Sequence, residues 1–162
     1  MPDIADLPAK DFANPITPIA AANYLLEKRD ALKPIKLIKL VYLCHGYCLA
    51  YFGKPLVDEK PQAWRYGPVF PSLYYAVQDY GNNPVVHKIN EGLNKDSAPP
   101  NYAQQQFMDA IYEDFKEDSD DTLSGMASYP DSPWAKVRKK AKGNAPIGDK
   151  DMRMGFVEFV DA

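Results

Sequence analysis

The chain has 162 residues, of which 46% are apolar and 25% are charged, and its net charge is −3. These values are typical of one globular domain, and the two cysteines exclude a disulfide framework. The small negative charge does not favour nucleic acid or an anionic membrane as a partner. The first residues have no basic start followed by an apolar run, so we expect no signal peptide and a cytoplasmic location.

The first elements are an arm and a short helix. Residues 1–16 contain three prolines and no helical period, which predicts an extended or poorly ordered N-terminal arm. Residues 17–162 are the predicted domain. Thr17-Pro18 is typical of a helix start, with a capping hydroxyl followed by proline, and predicts a helix from about residue 19 to 27.

The second predicted helix is the longest and covers residues 34–52. It is apolar along two stripes, which predicts a central helix that packs on several sides. Its apolar stretch is 18 residues long and is interrupted by Lys36, Lys39 and His45. A membrane span needs about 20 residues with few charges, so we predict a buried core helix.

The remaining pattern predicts a small sheet and several shorter helices. Residues 62–66 alternate as a strand does, and the β-branched segment 85–89 is its predicted partner in a short sheet or hairpin. Residues 90–100 are a predicted loop. Further helices are predicted over residues 73–80, 101–116, 119–128, 134–142 and from 149 onward. The predicted fold is therefore mainly α, a single compact domain of about six or seven helices with a small β element.

Few residues suggest catalysis or metal binding. Cys44 and Cys48 share one helix face, but no further cysteine completes a tetrahedral site, so we predict core packing. His45 lies on an apolar stripe, which favours a hydrogen-bonded core histidine over a catalytic base. The sequence contains no nucleophile, phosphate-loop or metal-binding motif. We therefore expect a protein that is not an enzyme and uses no cofactor or metal.

Two charge runs have two interpretations each. Residues 113–121 contain six acids and one lysine, and residues 136–142 contain five bases and no acid. The first run lies near a predicted helix N-terminus and the second near a C-terminus, where these signs complement the helix dipole. Solvated helix ends are the favoured interpretation. The alternatives are a bipolar partner surface, or a nucleic-acid site at the second run.

The most unusual run extends from Ala63 to Tyr74 and reads AWRYGPVFPSLY. Two prolines and a glycine fix a bent backbone beside large aromatic residues, which are enriched in binding hot spots. The predicted partner-binding residues are Tyr66, Phe70, Tyr74 and Tyr75. The residues predicted to shape the fold are Trp64, Gly67, Pro68, Val69, His45 and Trp134.

Four stretches together form a specific pattern: residues 21–26, residues 37–47 with 53–56, residues 63–74 with Tyr80-Gly81, and Leu123-Ser124 with residues 132–134. This pattern resembles the Panacea domain family, which includes SocA-like antitoxins and GepA-like phage-associated proteins. Family members usually carry a Thr-His pair where this chain has Ala127 and Ser128. A shared activity of that histidine would be missing here.

The resemblance implies a protein-binding function. It predicts an antitoxin that neutralises a cognate toxin protein by direct complex formation, without chemistry, and that is associated with a phage, a prophage or another mobile element. One alternative is a proteolytic adaptor that delivers the toxin to a protease. Two others are an element-encoded regulator that binds nucleic acid through residues 136–142, and an enzyme that uses His45 or Cys44.

Overall fold

The computed structural model describes residues 4–28, 31–89 and 98–160. The start of the predicted arm, most of the predicted 90–100 loop and the last two residues lie outside this part. Within it, the mainly α class with a small β element is confirmed. The α-helices are α1 (Pro18–Leu26), α2 (Pro34–Phe52), α3 (Pro71–Val77), α4 (Tyr102–Phe115), α5 (Asp120–Ala127), α6 (Pro133–Lys140) and α7 (Asp149–Val160). The strands are β1 (Gln62–Trp64) and β2 (Gly67–Val69), and the 3-10 helices are Ile4–Asp6, Ala9–Phe12 and Gln78–Tyr80.

Helix α2 is the centre of the fold. It begins with Pro34 and ends at Gly53, whose φ of 67° is the left-handed conformation that favours glycine. It packs against α1, α3, α4, α5, α7 and β2. Among the described helices, α2 is long and apolar enough to cross a membrane by length and composition alone. However, 72% of its most apolar window is buried inside the protein, as expected for a core helix.

Close backbone packing joins α2 to α7 and α7 to α6. A Cβ placed on Gly46 would lie 2.3 Å from the ring of Phe156, and one on Gly155 would lie 2.3 Å from the ring of Pro133. Only a residue without a side chain fits at either position, because contacts this short are steric clashes. These glycines therefore set the distances between the three helices.

The sheet is a tight hairpin, which corrects the predicted pairing of its strands. Trp64 is paired with Gly67 across a two-residue turn, whereas Val85 forms an isolated bridge with Leu32 and donates its N–H to the Leu32 oxygen at 2.7 Å. The predicted partner segment 85–89 therefore does not pair with residues 62–66. Closing a two-residue turn costs less chain entropy than bringing together segments twenty residues apart.

The N-terminal segment also differs from the prediction of an extended or poorly ordered arm. Residues 4–16 pack against the core, and the fully buried ring of Phe12 stacks on Phe52 with a centroid distance of 4.2 Å. The Ile16 N–H donates a 2.9 Å hydrogen bond to the Leu56 oxygen. The buried apolar side chains here are irregularly spaced, which leaves no periodic signal in the sequence.

Candidate functional site

A cleft of about 470 Å³ opens where the hairpin and α3 meet the N-terminal half of α2. The first turns of α2 form one side, the hairpin forms a second, and the end of α3 with the following turn forms a third. The lining residues are Pro34, Ile35, Ile38, Lys39, Trp64, Arg65, Tyr66, Gly67, Val69, Tyr74, Val77, Gln78, Gly81, Asn82 and Asn144. The cleft therefore brings together the α2 segment and the 63–74 run, which are separated in the sequence.

The buried cation at this cleft is Lys39. The residue is only 4% exposed, and its Nζ donates a 2.9 Å hydrogen bond to the backbone oxygen of Pro68. Loss of solvation by burial lowers the pKa of Lys39 to about 8 from its ordinary 10.5. The amine is therefore still mostly protonated at neutral pH. No aspartate or glutamate is among the described residues that line the cleft.

Gly67 makes room for this lysine. Its φ of 133° is a conformation that other residues rarely adopt, and a Cβ at this position would lie 2.8 Å from the Lys39 Nζ. The backbone of the hairpin can approach the amine so closely because no side chain intervenes. The glycine therefore satisfies both the turn and the position of the cation.

The aromatic surface, defined as Trp64, Tyr66, Tyr74 and Tyr75, lies beside the cleft. Tyr66 is 84% exposed and Tyr75 is 58% exposed, whereas Trp64 and Tyr74 are half-buried. The Trp64 ring packs edge-on against Tyr74 at 4.8 Å and lies 5.9 Å from the Tyr75 ring. The Arg65 guanidinium lies 5.4 Å from the centroid of the Tyr66 ring. Three of the four predicted contact residues are thus accessible here.

The fourth predicted contact residue, Phe70, requires a correction. Its side chain is fully buried, and its ring packs edge-on against His45 at 5.6 Å. A partner could not reach it without unfolding this region. Phe70 is the N-cap residue of α3 and has an extended backbone, and its ring fills the interior where the hairpin joins this helix.

His45 lies in the core, away from the cleft lining. Its Nδ1 accepts a 3.4 Å hydrogen bond from the Val57 N–H, which places the proton of the neutral ring on Nε2. Nε2 has no partner among the described residues. Burial lowers the pKa of His45 to about 3, because the imidazolium would lose its hydration. The ring is therefore neutral and inaccessible.

Helix α6 supports the hairpin from behind. The Trp134 indole N–H donates to the Trp64 oxygen at 2.6 Å, and the Arg138 guanidinium donates to the Ala63 oxygen at 2.9 Å. Two side chains of one helix thus hold two adjacent backbone carbonyls of β1. Arg138 belongs to the basic run that was predicted as a solvated helix end, so one of its cations has a structural role, while Lys136 stays exposed.

The other candidates from the sequence lie elsewhere. Cys44 and Cys48 are completely buried, and burial raises the pKa of both thiols, so neither is a reactive thiolate. Within the part of the chain that the structure describes, no group of three metal-ligating side chains occurs. Ala127 is buried at the end of α5, and the Ser128 hydroxyl donates to the Ser124 oxygen at 2.7 Å. Neither position lines the cleft.

The sequence did not predict that Lys39 belongs to the site. Its charge only argued against a membrane span. The signal was present, because a single lysine stands between Leu37-Ile38 and Leu40-Val41 in the most apolar part of the chain. A cation at such a position lies either on an exposed face of the helix or in the interior, where it needs a hydrogen-bonding partner. Which of the two applies depends on the hairpin, which is distant in the sequence.

Comparison with known proteins places this site in a family. A family model described as "Antitoxin SocA-like, Panacea domain" matches residues 37–135. Antitoxin SocA of Caulobacter vibrioides (strain NA1000 / CB15N) is 41% identical over 81 residues, which cover 48% of this chain and 42% of that protein. No solved structure matches. The family match covers more than half of the chain and includes the hairpin and most of α2, so the protein belongs to the SocA-like antitoxin, or Panacea domain, family.

Proposed function

We propose that this protein is an antitoxin that neutralises a cognate toxin protein by forming a direct complex with it. It acts in the cytoplasm, as a product of a phage or another mobile element, and performs no chemistry on the toxin. The observation that carries the proposal is the position of two exposed tyrosines, Tyr66 and Tyr75, beside a cleft most of whose lining lies within the residues that match the family.

The aromatic surface suits protein binding because it is rigid before the partner arrives. The hairpin that carries Tyr66 is held by Trp134 and Arg138 of α6, and Tyr75 projects from the first turns of α3. Tyrosine buries a large area while it loses little conformational entropy, so exposed tyrosines on fixed backbone often become hot spots. A preorganised surface also lowers the ordering cost of association.

The chemistry of the core is consistent with binding rather than catalysis. His45 is neutral and buried, so it has no access to a substrate. Cys44 and Cys48 are buried thiols with raised pKa values. None of the three lines the cleft. This leaves a cavity that offers aromatic faces and two cations, which are groups that recognise a partner.

The test combines toxicity with complex formation. The tagged protein is purified from its host while the neighbouring genes are also expressed. Each small protein that co-purifies is then expressed with and without this chain. We expect one partner, present at about equal molar amount, that is toxic alone and harmless with this chain. We also expect an unchanged half-life of that toxin, whereas a shortened half-life would mean delivery to a protease.

The variants connect the function to the surface. Combined Tyr66→Ala and Tyr75→Ala should weaken toxin binding by about thirtyfold to a thousandfold, because truncation of one hot spot costs about 2 kcal/mol and the two costs add only in part. Tyr102→Ala is the matched control, since Tyr102 is 74% exposed on α4 and outside the cleft. The proposal is wrong if no protein co-purifies at stoichiometric levels, or if the double variant protects as well as the control.

A further inference from the structure

The charge of the cleft is opposite to that of the chain. Among the described residues that line it, Lys39 and Arg65 are the charged ones, and both are cations. The whole chain has a net charge of −3. A cationic cavity on an acidic protein attracts a negatively charged group, and its low polarity strengthens that attraction relative to bulk water.

The Lys39 ammonium also has unused hydrogen-bonding capacity. It can donate three hydrogen bonds, and the Pro68 oxygen is the one acceptor that the described residues provide. The residue is only 4% exposed although it lines the cleft, so most of its ordinary hydration is lost. A buried charge with one acceptor is unfavourable until an opposite charge pairs with it.

We propose that this cleft receives an aspartate or glutamate side chain of the toxin, whose carboxylate pairs with the Lys39 ammonium while Trp64 and Tyr66 cover the contact. This inference rests on the proposed function, since it specifies which group of the toxin the surface recognises. The cavity of about 470 Å³ lies in the range of about 300–1,000 Å³ that is common for ligand sites. Arg65 at the rim attracts the same charge before contact.

The amine is suited to this role at neutral pH. Its lowered pKa of about 8 still leaves most of the lysine protonated, so the cation is present before binding. When a carboxylate arrives, the pair forms in a partly desolvated cavity, where charge-assisted hydrogen bonds are strong. The hydrogen bond to the Pro68 oxygen holds the ammonium at the cleft before a partner arrives.

The first test uses phage-displayed random peptides selected on the isolated protein. Clones that bind the cleft are those that lose binding to Tyr66→Ala. We expect each of them to contain an aspartate or glutamate whose replacement by asparagine or glutamine weakens binding about tenfold, as for loss of a hydrogen bond to a charged group. The same replacement should have no effect on binding to Lys39→Met.

Controls separate charge from folding. Lys150→Met removes an exposed lysine of α7 outside the cleft and should bind every clone as the unchanged protein does. Lys39→Gln removes the charge but retains a donor toward Pro68, so it replaces Lys39→Met if that variant does not fold. The inference is refuted if cleft-binding clones need no acidic residue, or if they bind both Lys39 variants as tightly as they bind the unchanged protein. It is also refuted if no clone depends on Tyr66.

The second test uses the toxin and distinguishes this inference from the proposed function. If Lys39→Met and Lys39→Gln neutralise the toxin fully while the double tyrosine variant does not, the carboxylate contact is wrong and the antitoxin function stands. If the unchanged protein binds no toxin, the proposed function fails whatever the peptides show. If free glutamate or sulfate displaces the acidic clones at the concentration of the clones themselves, the cleft binds a small anion instead.

Discussion

Replacing Lys39 with methionine should stabilise the protein at neutral pH, although the lysine is nearly completely buried. The difference between its ordinary pKa of 10.5 and the folded value of about 8 corresponds to about 3 kcal/mol, at 1.36 kcal/mol per pKa unit. That energy is the cost of keeping a charged amine in the folded protein. Methionine has a similar length and no charge, so the cost disappears while the packing of α2 is kept.

One loss opposes this gain. Methionine cannot donate to the Pro68 oxygen, and a lost hydrogen bond costs about 1–1.5 kcal/mol. We therefore expect Lys39→Met to be more stable than the unchanged protein by about 1–2 kcal/mol near neutral pH. Since the folded pKa is lowered, the unfolded chain binds more protons between pH 8 and 10.5, and the stability of the unchanged protein rises through that window. Above it, the variant should be the less stable of the two.

Urea unfolding followed by tryptophan fluorescence, in steps from neutral pH to above 10.5, measures this crossing. Tyrosines, cysteines and the other lysines titrate in both proteins, so their effects cancel in the difference between the two free energies of unfolding. Lys150→Met is the control, because it makes the same substitution at an exposed lysine of α7 outside the cleft. The reasoning is refuted if Lys39→Met is destabilised by the same amount at every pH, because Lys39 would then pay no desolvation cost.

Three further substitutions test the packing around the site by urea unfolding and circular dichroism. Gly46→Ala should destabilise the fold by about 1–3 kcal/mol, because the new methyl group would lie 2.3 Å from the Phe156 ring. Trp134→Phe should cost about 1–2 kcal/mol, since it removes the 2.6 Å hydrogen bond to the Trp64 oxygen. The unchanged protein should lose stability as the pH falls from 6.5 toward 3, because His45 binds a proton in the unfolded chain but stays neutral in the core. His45→Gln should lose less stability over the same pH range, because it has no group that titrates at this position. Equal stability of either of the first two variants with the unchanged protein, or equal acid sensitivity of the third, would contradict these assignments.

Local signals predicted the helices well because helix ends depend on neighbouring residues. The Thr17, Ser119 and Ser132 side chains accept hydrogen bonds from the backbone N–H three residues ahead, as hydroxyl caps do. Long-range pairing could not be predicted in this way. Segment 85–89 was the predicted partner of β1, but the hairpin strand Gly67–Val69 pairs with it instead, because the shorter loop costs less chain entropy to close.

The candidate site was likewise predictable where it depends on local sequence and not where it depends on distant packing. The aromatic and proline content of residues 63–74 identified the surface, and Tyr66 and Tyr75 are exposed there. The composition could not distinguish the buried Phe70 from the exposed tyrosines, because the direction of a side chain at a bend depends on the helix that follows. The sequence shows Lys39 as a charge in an apolar segment, but its position at the cleft depends on the hairpin that packs against α2.

Lys39 and Gly67 explain each other, and together they suggest why the family motif joins α2 to the hairpin. Burial lowers the pKa of Lys39, so a charged amine at this position is not what stability alone would favour. The hairpin, in turn, presents Gly67 directly over the amine in a conformation that other residues rarely adopt, and a Cβ there would lie 2.8 Å from the Lys39 Nζ. A buried cation beneath a position that only glycine fits, at the edge of a cleft with exposed tyrosines, is the kind of departure from stability that functional sites often contain. A partner carboxylate would compensate the buried charge of Lys39, while Gly67 would still be needed to leave room for the amine. Lys39, rather than the tyrosines alone, is therefore the residue to test.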